Sequence, residues 1–105
     1  MTHPAPPPAV ACSLSATEGA QRAERWRRLL DLHVLSRAAS AHGQRLALPA
    51  DPPIAAELDA LVAAERECCP FLALTVERFD ETLVLDVSGP PDALGIVETM
   101  FGARA

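Results

Sequence analysis

Three sulfur atoms and one carboxylate are the groups in this sequence most suited to chemistry. Cys68 and Cys69 are adjacent, and Glu65 precedes Cys69 by about one helical turn. A third cysteine, Cys12, lies near the start of the chain. Three thiolates in one pocket bind soft ions such as Hg(II), As(III) or Cu(I), and Zn(II) when a fourth ligand is added. Glu65 could accept the thiol protons that ion binding releases.

The helix predicted over residues 52 to 68 should point these groups inward. Its apolar residues follow the spacing of a one-sided helix, and the same stripe continues through the acid and the thiols. The members of the stripe are Ile54, Leu58, Leu61, Val62, Glu65, Cys68 and Cys69. Asp51 is expected to cap the start of the helix. Pro70 disfavours helical geometry at the residue before it and should end the helix there.

Electrostatics at this helix end favours a bound cation over a bare nucleophile. A helix C-terminus is negative, and together with Glu65 and Glu67 it should disfavour an isolated thiolate. His33 and His42 are candidate fourth ligands, although no spacing supports either. If the protein is an enzyme, Glu65 would be the catalytic acid and the thiols would hold mercury while a carbon–mercury bond is cleaved. Organomercurial lyases use that combination of groups, which is an analogy of chemistry alone.

Plainer interpretations stay open beside the metal site. A buried free cysteine often fills core space as a small hydrophobic residue. Glu65 could form a salt bridge with an arginine, and Arg22 is a candidate partner. A thiol redox module that uses a Cys68–Cys69 disulfide and no metal is a further alternative.

Composition limits the other classes of function. The chain has 105 residues, half of them hydrophobic, and a formal net charge of -5. Residues 1–7 are predicted to form a disordered Pro-rich tail, and residues 8–105 a single domain. The acidic balance argues against direct nucleic-acid binding, and no apolar run is long enough to span a membrane. The first residues have no pattern of a secretory signal, so a cytoplasmic location is expected. In that reducing compartment, three cysteines favour thiol chemistry or metal binding over a disulfide scaffold.

The hydrophobic patterns predict three helices and five strands. The strands are expected at residues 8–14, 32–38, 44–48, 72–76 and 83–87, and the helices at about 15–30, 52–68 and 90–101. Residues 32–39 could instead prolong the first helix. The order β-α-β-β-α-β-β-α predicts an α+β fold, a two-layer sandwich with three helices on a mostly antiparallel sheet of about five strands.

Local signals refine this outline. A capping box at residues 15–18 should open the first helix, whose inward residues are expected to be Ala20, Ala23, Trp26 and Leu30. Residues 40–43 are predicted to form the turn that joins the second and third strands, with Gly43 free to adopt a positive φ. Gly102 should follow the last helix as its C′ residue.

Several short stretches together carry a family resemblance. They are residues 12–14, 22–26, 65–72, 89–90 and 101–102, and the specific part is the Glu-x-x-Cys-Cys-Pro-Phe run. The chain resembles a small bacterial domain that also occurs as the C-terminal effector piece of MerR-like helix-turn-helix regulators. The resemblance implies an effector-sensing role for a thiol-seeking metal or metalloid, and it implies no activity for the domain standing alone. The metal hypothesis adds mercury as a candidate ion and stress resistance as a candidate role. Because the DNA-binding half is missing, direct DNA contact does not carry over, and a homodimer or a regulator protein is a candidate partner.

Overall fold

The computed structural model describes residues 16–102, which form three α-helices, one 3-10 turn and four β-strands. In chain order these are α1 (Ala16–His33), β1 (Ser36–Ser40), β2 (Gly43–Pro49), α2 (Pro52–Cys68), β3 (Ala73–Phe79), β4 (Thr82–Ser88), the 3-10 turn (Pro91–Ala93) and α3 (Leu94–Phe101). The predicted α+β class is confirmed. The strand predicted at residues 8–14 lies outside the described residues, so the five-stranded two-layer sandwich stays a prediction.

The four described strands form one antiparallel sheet in the order β1-β2-β4-β3. Each of the two hairpins supplies one edge strand and one central strand, and the central strands pair through contacts such as Leu46 opposite Leu85. A helix precedes each hairpin, so the plan α-β-β occurs twice. The β2–β4 pairing therefore joins two similar halves of the fold.

One face of the sheet is packed against helices. Leu83, Leu85 and Val87 of β4 are buried, and the residues between them are only partly buried. Burying each such side chain contributes about 1.5–3 kcal/mol, so this face is a major source of stability. In α1 the buried residues include Ala23, Trp26, Leu29 and Leu30, whereas Ala20, which was expected inside, is exposed. Within the described range, no helix has the length and apolar character needed to cross a membrane.

The boundary between α1 and β1 differs from the main prediction. Helix α1 continues to His33, and β1 begins at Ser36 instead of residue 32. Leu32 and Leu35 are 70% and 62% exposed. These side chains are not buried against the core, so burial does not favour a strand at these positions. Pairing begins where the Leu35 N–H donates to the carbonyl oxygen of Ala47 at 2.7 Å.

Helix starts also depart from the predictions in detail. Helix α2 begins after Asp51 and spans the predicted residues, but the Asp51 side chain makes no capping hydrogen bond. Helix α3 begins at Leu94 instead of residue 90, because a 3-10 turn occupies residues 91–93. A tighter 3-10 turn is common at the start of a helix.

Gly43 allows strands β2 and β4 to lie close together, and it does not adopt a positive φ. Among the described residues, positive φ occurs at Asp80 and Gly102. A Cβ at residue 43 would overlap the carbonyl oxygen of Val87 on β4. Gly43 therefore does not use the positive φ that glycine allows, and glycine is needed there because its hydrogen leaves room for the neighbouring backbone.

Replacing Gly43 with alanine is expected to lower the free energy of unfolding by about 1–3 kcal/mol, because β2 and β4 must separate to fit a methyl group. Replacing Gly19, whose Cβ position in α1 meets no other described side chain, should instead raise it by about 0.5–1 kcal/mol through better helix propensity. Urea unfolding followed by circular dichroism measures both variants. Shifts of the same sign and size would contradict the close approach at Gly43.

The end of α3 is attached to the first hairpin. Arg37 on β1 donates to the carbonyl oxygen of Phe101, and Gln44 Nε2 on β2 donates to that of Gly102 at 2.9 Å. Arg37 Nη1 also donates to Gln44 Oε1 at 3.0 Å. The Gln44 side chain is fully buried, so these bonds satisfy an amide that would otherwise destabilise the core. Gly102 follows α3 as its cap residue with φ 95°, but ψ 168° places it outside the left-handed helical conformation of the predicted C′ role.

Candidate functional site

The candidate site lies where α1 meets the C-terminal end of α2. Helix α2 ends at Cys68, and the N–H of Cys69 donates to the carbonyl oxygen of Glu65 at 2.7 Å. Glu65 and Cys69 are fully buried and Cys68 is half-buried, whereas residues 66 and 67 are exposed. The predicted inward stripe, ending in a carboxylate and two cysteine residues, is confirmed.

Two donors from α1 bind one oxygen of Glu65. Arg22 Nη1 lies 2.9 Å from Glu65 Oε1, and Trp26 Nε1 lies 3.1 Å from the same oxygen. The candidate salt bridge between Arg22 and Glu65 is therefore confirmed. Since a buried carboxylate without a partner is costly, Arg22 and Trp26 are what allow an acid at this core position.

The second carboxylate oxygen of Glu65, Oε2, differs from Oε1 in its hydrogen bonding. Glu65 Oε2 is buried and has no hydrogen-bond partner among residues 16–102. An unsatisfied buried acceptor costs about 1–3 kcal/mol, so such atoms in folded proteins call for an explanation. Glu65 lies one helical turn before Cys69, so the site holds a buried acceptor without a donor in the described range.

Arg22 also interacts with Cys68, which changes the electrostatics of the site. Burial by itself would lower the pKa of Arg22, but the hydrogen bond to Glu65 and the attraction of Glu65 and Cys68 outweigh burial and raise the pKa above its ordinary value. From the sequence, only negative groups were expected near the thiols. Because the guanidinium of Arg22 adds a positive charge to the site, the electrostatic reason to prefer a cation over a nucleophilic thiol is weaker.

Two residues of this network had no role in the sequence argument beyond packing or ion pairing. Trp26 was expected in the core but not as a donor to Glu65, and Arg22 was not expected beside a thiol. Both lie on one side of α1, one helical turn apart. An arginine on the same side of the helix as a core tryptophan is the signal that could have found them.

The cysteines are in different states. Cys69 is disulfide-bonded, whereas Cys68 is a free thiol, so the Cys68–Cys69 disulfide considered from the sequence is not formed. Cys12 lies outside the described residues, and convergence of all three cysteines stays a prediction. Within residues 16–102, no group of three His, Cys, Asp or Glu side chains is arranged to hold a metal ion. A complete three-sulfur site would therefore need Cys12.

The candidate fourth ligands belong to other parts of the fold. His33 lines a cavity of about 460 Å³ between the end of α1 and the start of α2, together with Asp51 and Ile54. That end of α1 lies about 16 Å from Arg22 along the helix. His42 lies in the turn between β1 and β2. The structure gives no support to His33 as a ligand beside the cysteines.

Comparison with known proteins adds no relative. A scan against protein-family models and searches of curated proteins and of solved structures return no match for this chain. The resemblance to the domain attached to MerR-like regulators stays a prediction.

Proposed function

We propose that the reduced protein captures a soft metal or metalloid ion, among Hg(II), As(III), Cu(I) and Zn(II), for sensing or sequestration in the bacterial cytosol. The proposed ligands are the sulfur atoms of Cys12, Cys68 and Cys69. The observation that supports this proposal is the disulfide at Cys69. Cys68, the neighbouring residue, is a free thiol, so reduction would leave two adjacent cysteine thiols at the end of α2.

The proposal requires the thiol of Cys12 to reach the same pocket, which would make a set of three thiols. Such a set matches the preference of soft ions for thiolate ligands. The proposal needs the strand predicted at residues 8–14 to carry Cys12 to the core, which would complete a five-stranded two-layer sandwich.

The groups around Cys68 suit the proton and charge changes of ion binding. Each thiol that binds Hg(II) releases a proton, and Glu65 Oε2 is a buried acceptor without a partner in the described range. As(III) hydroxide would bind three thiols and release three waters, which requires no net proton loss. In both cases Arg22 remains beside Cys68 and offsets negative charge. The ion is the proposed partner. A regulator protein or a second copy of the chain would bind the ion-bound form.

Replacing Cys68 with serine is expected to weaken ion binding about tenfold to hundredfold, because a hard hydroxyl replaces one soft ligand. Protein reduced with a phosphine and freed of reductant is titrated with As(III) or Hg(II), and free thiols and bound ion are counted. Ala64→Ser on the same helix adds a hydroxyl and keeps every sulfur, so it should bind like the wild type. Equal affinity of the Cys68→Ser variant and the wild type would refute the three-sulfur site.

The same titration distinguishes the alternative functions. Release of methane from methylmercury that depends on Glu65 would indicate cleavage of the carbon–metal bond, as in the enzyme hypothesis. Binding in fixed stoichiometry without release of the organic group favours capture. Reversible thiol oxidation in a protein that binds none of the ions would indicate a redox module without metal.

A further inference from the structure

We infer that the open face of the β-sheet binds a second copy of this chain in a reversible dimer. This outer face consists of the even-numbered residues of β1 and β4 and the odd-numbered residues of β2 and β3, because successive side chains of a strand point to opposite faces. Inward residues such as Leu46 and Leu85 are buried, whereas every outward residue except Gly43 is at least partly exposed. The inference goes beyond the proposed ion site and does not depend on it.

The outer face has few charges, and its side chains are mostly short. Its charged residues are Arg45, Glu77 and Asp86, and most of the others are alanine, serine or threonine. Phe79, at the end of β3, is 56% exposed on the same face. Two sheets that pack face to face lie about 10 Å apart, a spacing that short side chains allow. The outer face is therefore suited to packing against another sheet.

The charges on the outer face favour a second copy as the partner. Arg45 on β2 lies directly opposite Asp86 on β4, and Arg45 Nε donates to Asp86 Oδ1 at 2.9 Å. A guanidinium has five N–H donors, so Arg45 can bind a second carboxylate that faces it. A twofold axis parallel to the strands, between β2 and β4, places β2 of one copy over β4 of the other. Arg45 of each copy then faces Asp86 of the other copy.

The same axis brings no like charges together. In the register of the sheet, Glu77 pairs with Val84, Val84 with Ala47, and Ala47 with Ser36. The strand order β1-β2-β4-β3 is reversed in the second copy, so Glu77 of one copy faces Ser36 of the other. Val84 likewise faces Ala47, an apolar contact beside the charged pairs. An axis that crossed the strands at Arg45 would instead place that guanidinium over its own counterpart, which like-charge repulsion disfavours.

The size of the outer face sets the expected affinity. Three strands of seven residues and one of five cover about 24 by 19 Å, or roughly 450 Å² of flat area per copy. The two faces together would bury about 900 Å², which is less than the roughly 1,200–2,000 Å² of a standard stable interface. Interfaces of this size belong to transient complexes, so we expect a dissociation constant of about 10–100 μM.

The test is sedimentation velocity of metal-free protein with excess reductant, at concentrations of about 10–500 μM. The wild type is expected to pass from the 11.1 kDa monomer to a dimer over this range. Arg45→Glu and Asp86→Arg each place like charges face to face, and each should raise the dissociation constant about tenfold or more. An equimolar mixture of the two variants should form a mixed dimer at least as tight as the wild-type dimer, because opposite charges then face each other again. Both variants lack the ion pair within a copy, so this recovery reports the contact between copies.

Arg27→Glu serves as the matched control, since it makes the same charge change on α1, where Arg27 is 55% exposed, and should dimerise like the wild type. Circular dichroism verifies that every variant is folded, and native mass spectrometry identifies the mixed dimer. The inference would be overturned by wild type that stays monomeric over the whole range, by single variants that dimerise as tightly as the wild type, or by a mixture that forms no mixed dimer. The outer face contains neither Cys68 nor Cys69, so each of these results leaves the ion proposal standing.

Discussion

Replacing Arg22 with methionine is expected to lower the free energy of unfolding by about 3–5 kcal/mol. The methionine keeps the aliphatic stem but removes the charge that faces Glu65, whose side chain is 0% exposed. Glu65 would then be a buried carboxylate held by the Trp26 N–H alone among its described partners. Since the Arg22 side chain is 15% exposed, water can reach part of the gap, and a loss near the lower end of the range is expected. Urea unfolding at neutral pH measures it.

Two further variants test the origin of that loss. Arg25→Met removes an exposed ion pair with Glu57 on the same helix pair and should cost less than about 1 kcal/mol. The double variant Arg22→Met, Glu65→Leu removes the buried charge together with its partner and should recover most of the stability. Equal losses for Arg22→Met and Arg25→Met would contradict a buried ion pair as the source of the effect.

Replacing Trp26 with alanine is expected to lower the free energy of unfolding by about 3–5 kcal/mol. The side chain is 0% exposed, so its removal leaves a cavity in the core. It also breaks the ring contact with Phe101, whose centroid lies 4.6 Å away, and removes the N–H that donates to Glu65. Circular dichroism must follow the unfolding, because the chain holds one tryptophan and the variant loses its fluorescence.

Variants at two positions separate the parts of this effect. Trp26→Phe keeps a ring opposite Phe101 but removes the N–H donor, so it should lose less stability than Trp26→Ala. Leu32→Ala on the same helix removes a side chain that is 70% exposed and should change stability by no more than about 0.5 kcal/mol. If Trp26→Ala cost no more than Leu32→Ala, the central role of Trp26 in the core would be wrong.

Sequence signals that act over a few residues predicted the ends of α2 but not the end of α1. Helix α2 has the predicted bounds because a proline at each end and an unbroken apolar stripe determine where it starts and stops. The end of α1 was ambiguous because residues 32–39 fit both a longer helix and an alternating strand. The choice depends on whether Leu32 and Leu35 can be buried, which is a tertiary property that the local pattern does not contain.

The candidate site was predictable only in part for a similar reason. The inward direction of Glu65 follows from its place on the α2 stripe, and the need for a buried charge to be paired made Arg22 a candidate. The donations from Arg22 and Trp26 to Glu65 connect two helices far apart in sequence, with separations of 43 residues for Arg22–Glu65 and 39 for Trp26–Glu65. Such contacts depend on how the helices pack, which a local pattern does not contain.

The attachment of α3 to the first hairpin has a consequence for local unfolding. Helix α3 has eight residues, whereas an isolated helix shorter than about 12–15 residues is marginal in water. Its persistence therefore depends on the bonds that Arg37 and Gln44 make to its final carbonyls and on Phe101 in the core. Opening of α3 would leave the buried amide of Gln44 without its acceptor, and opening of the hairpin would release α3. We therefore expect the two segments to open together, although most of the chain separates them in sequence.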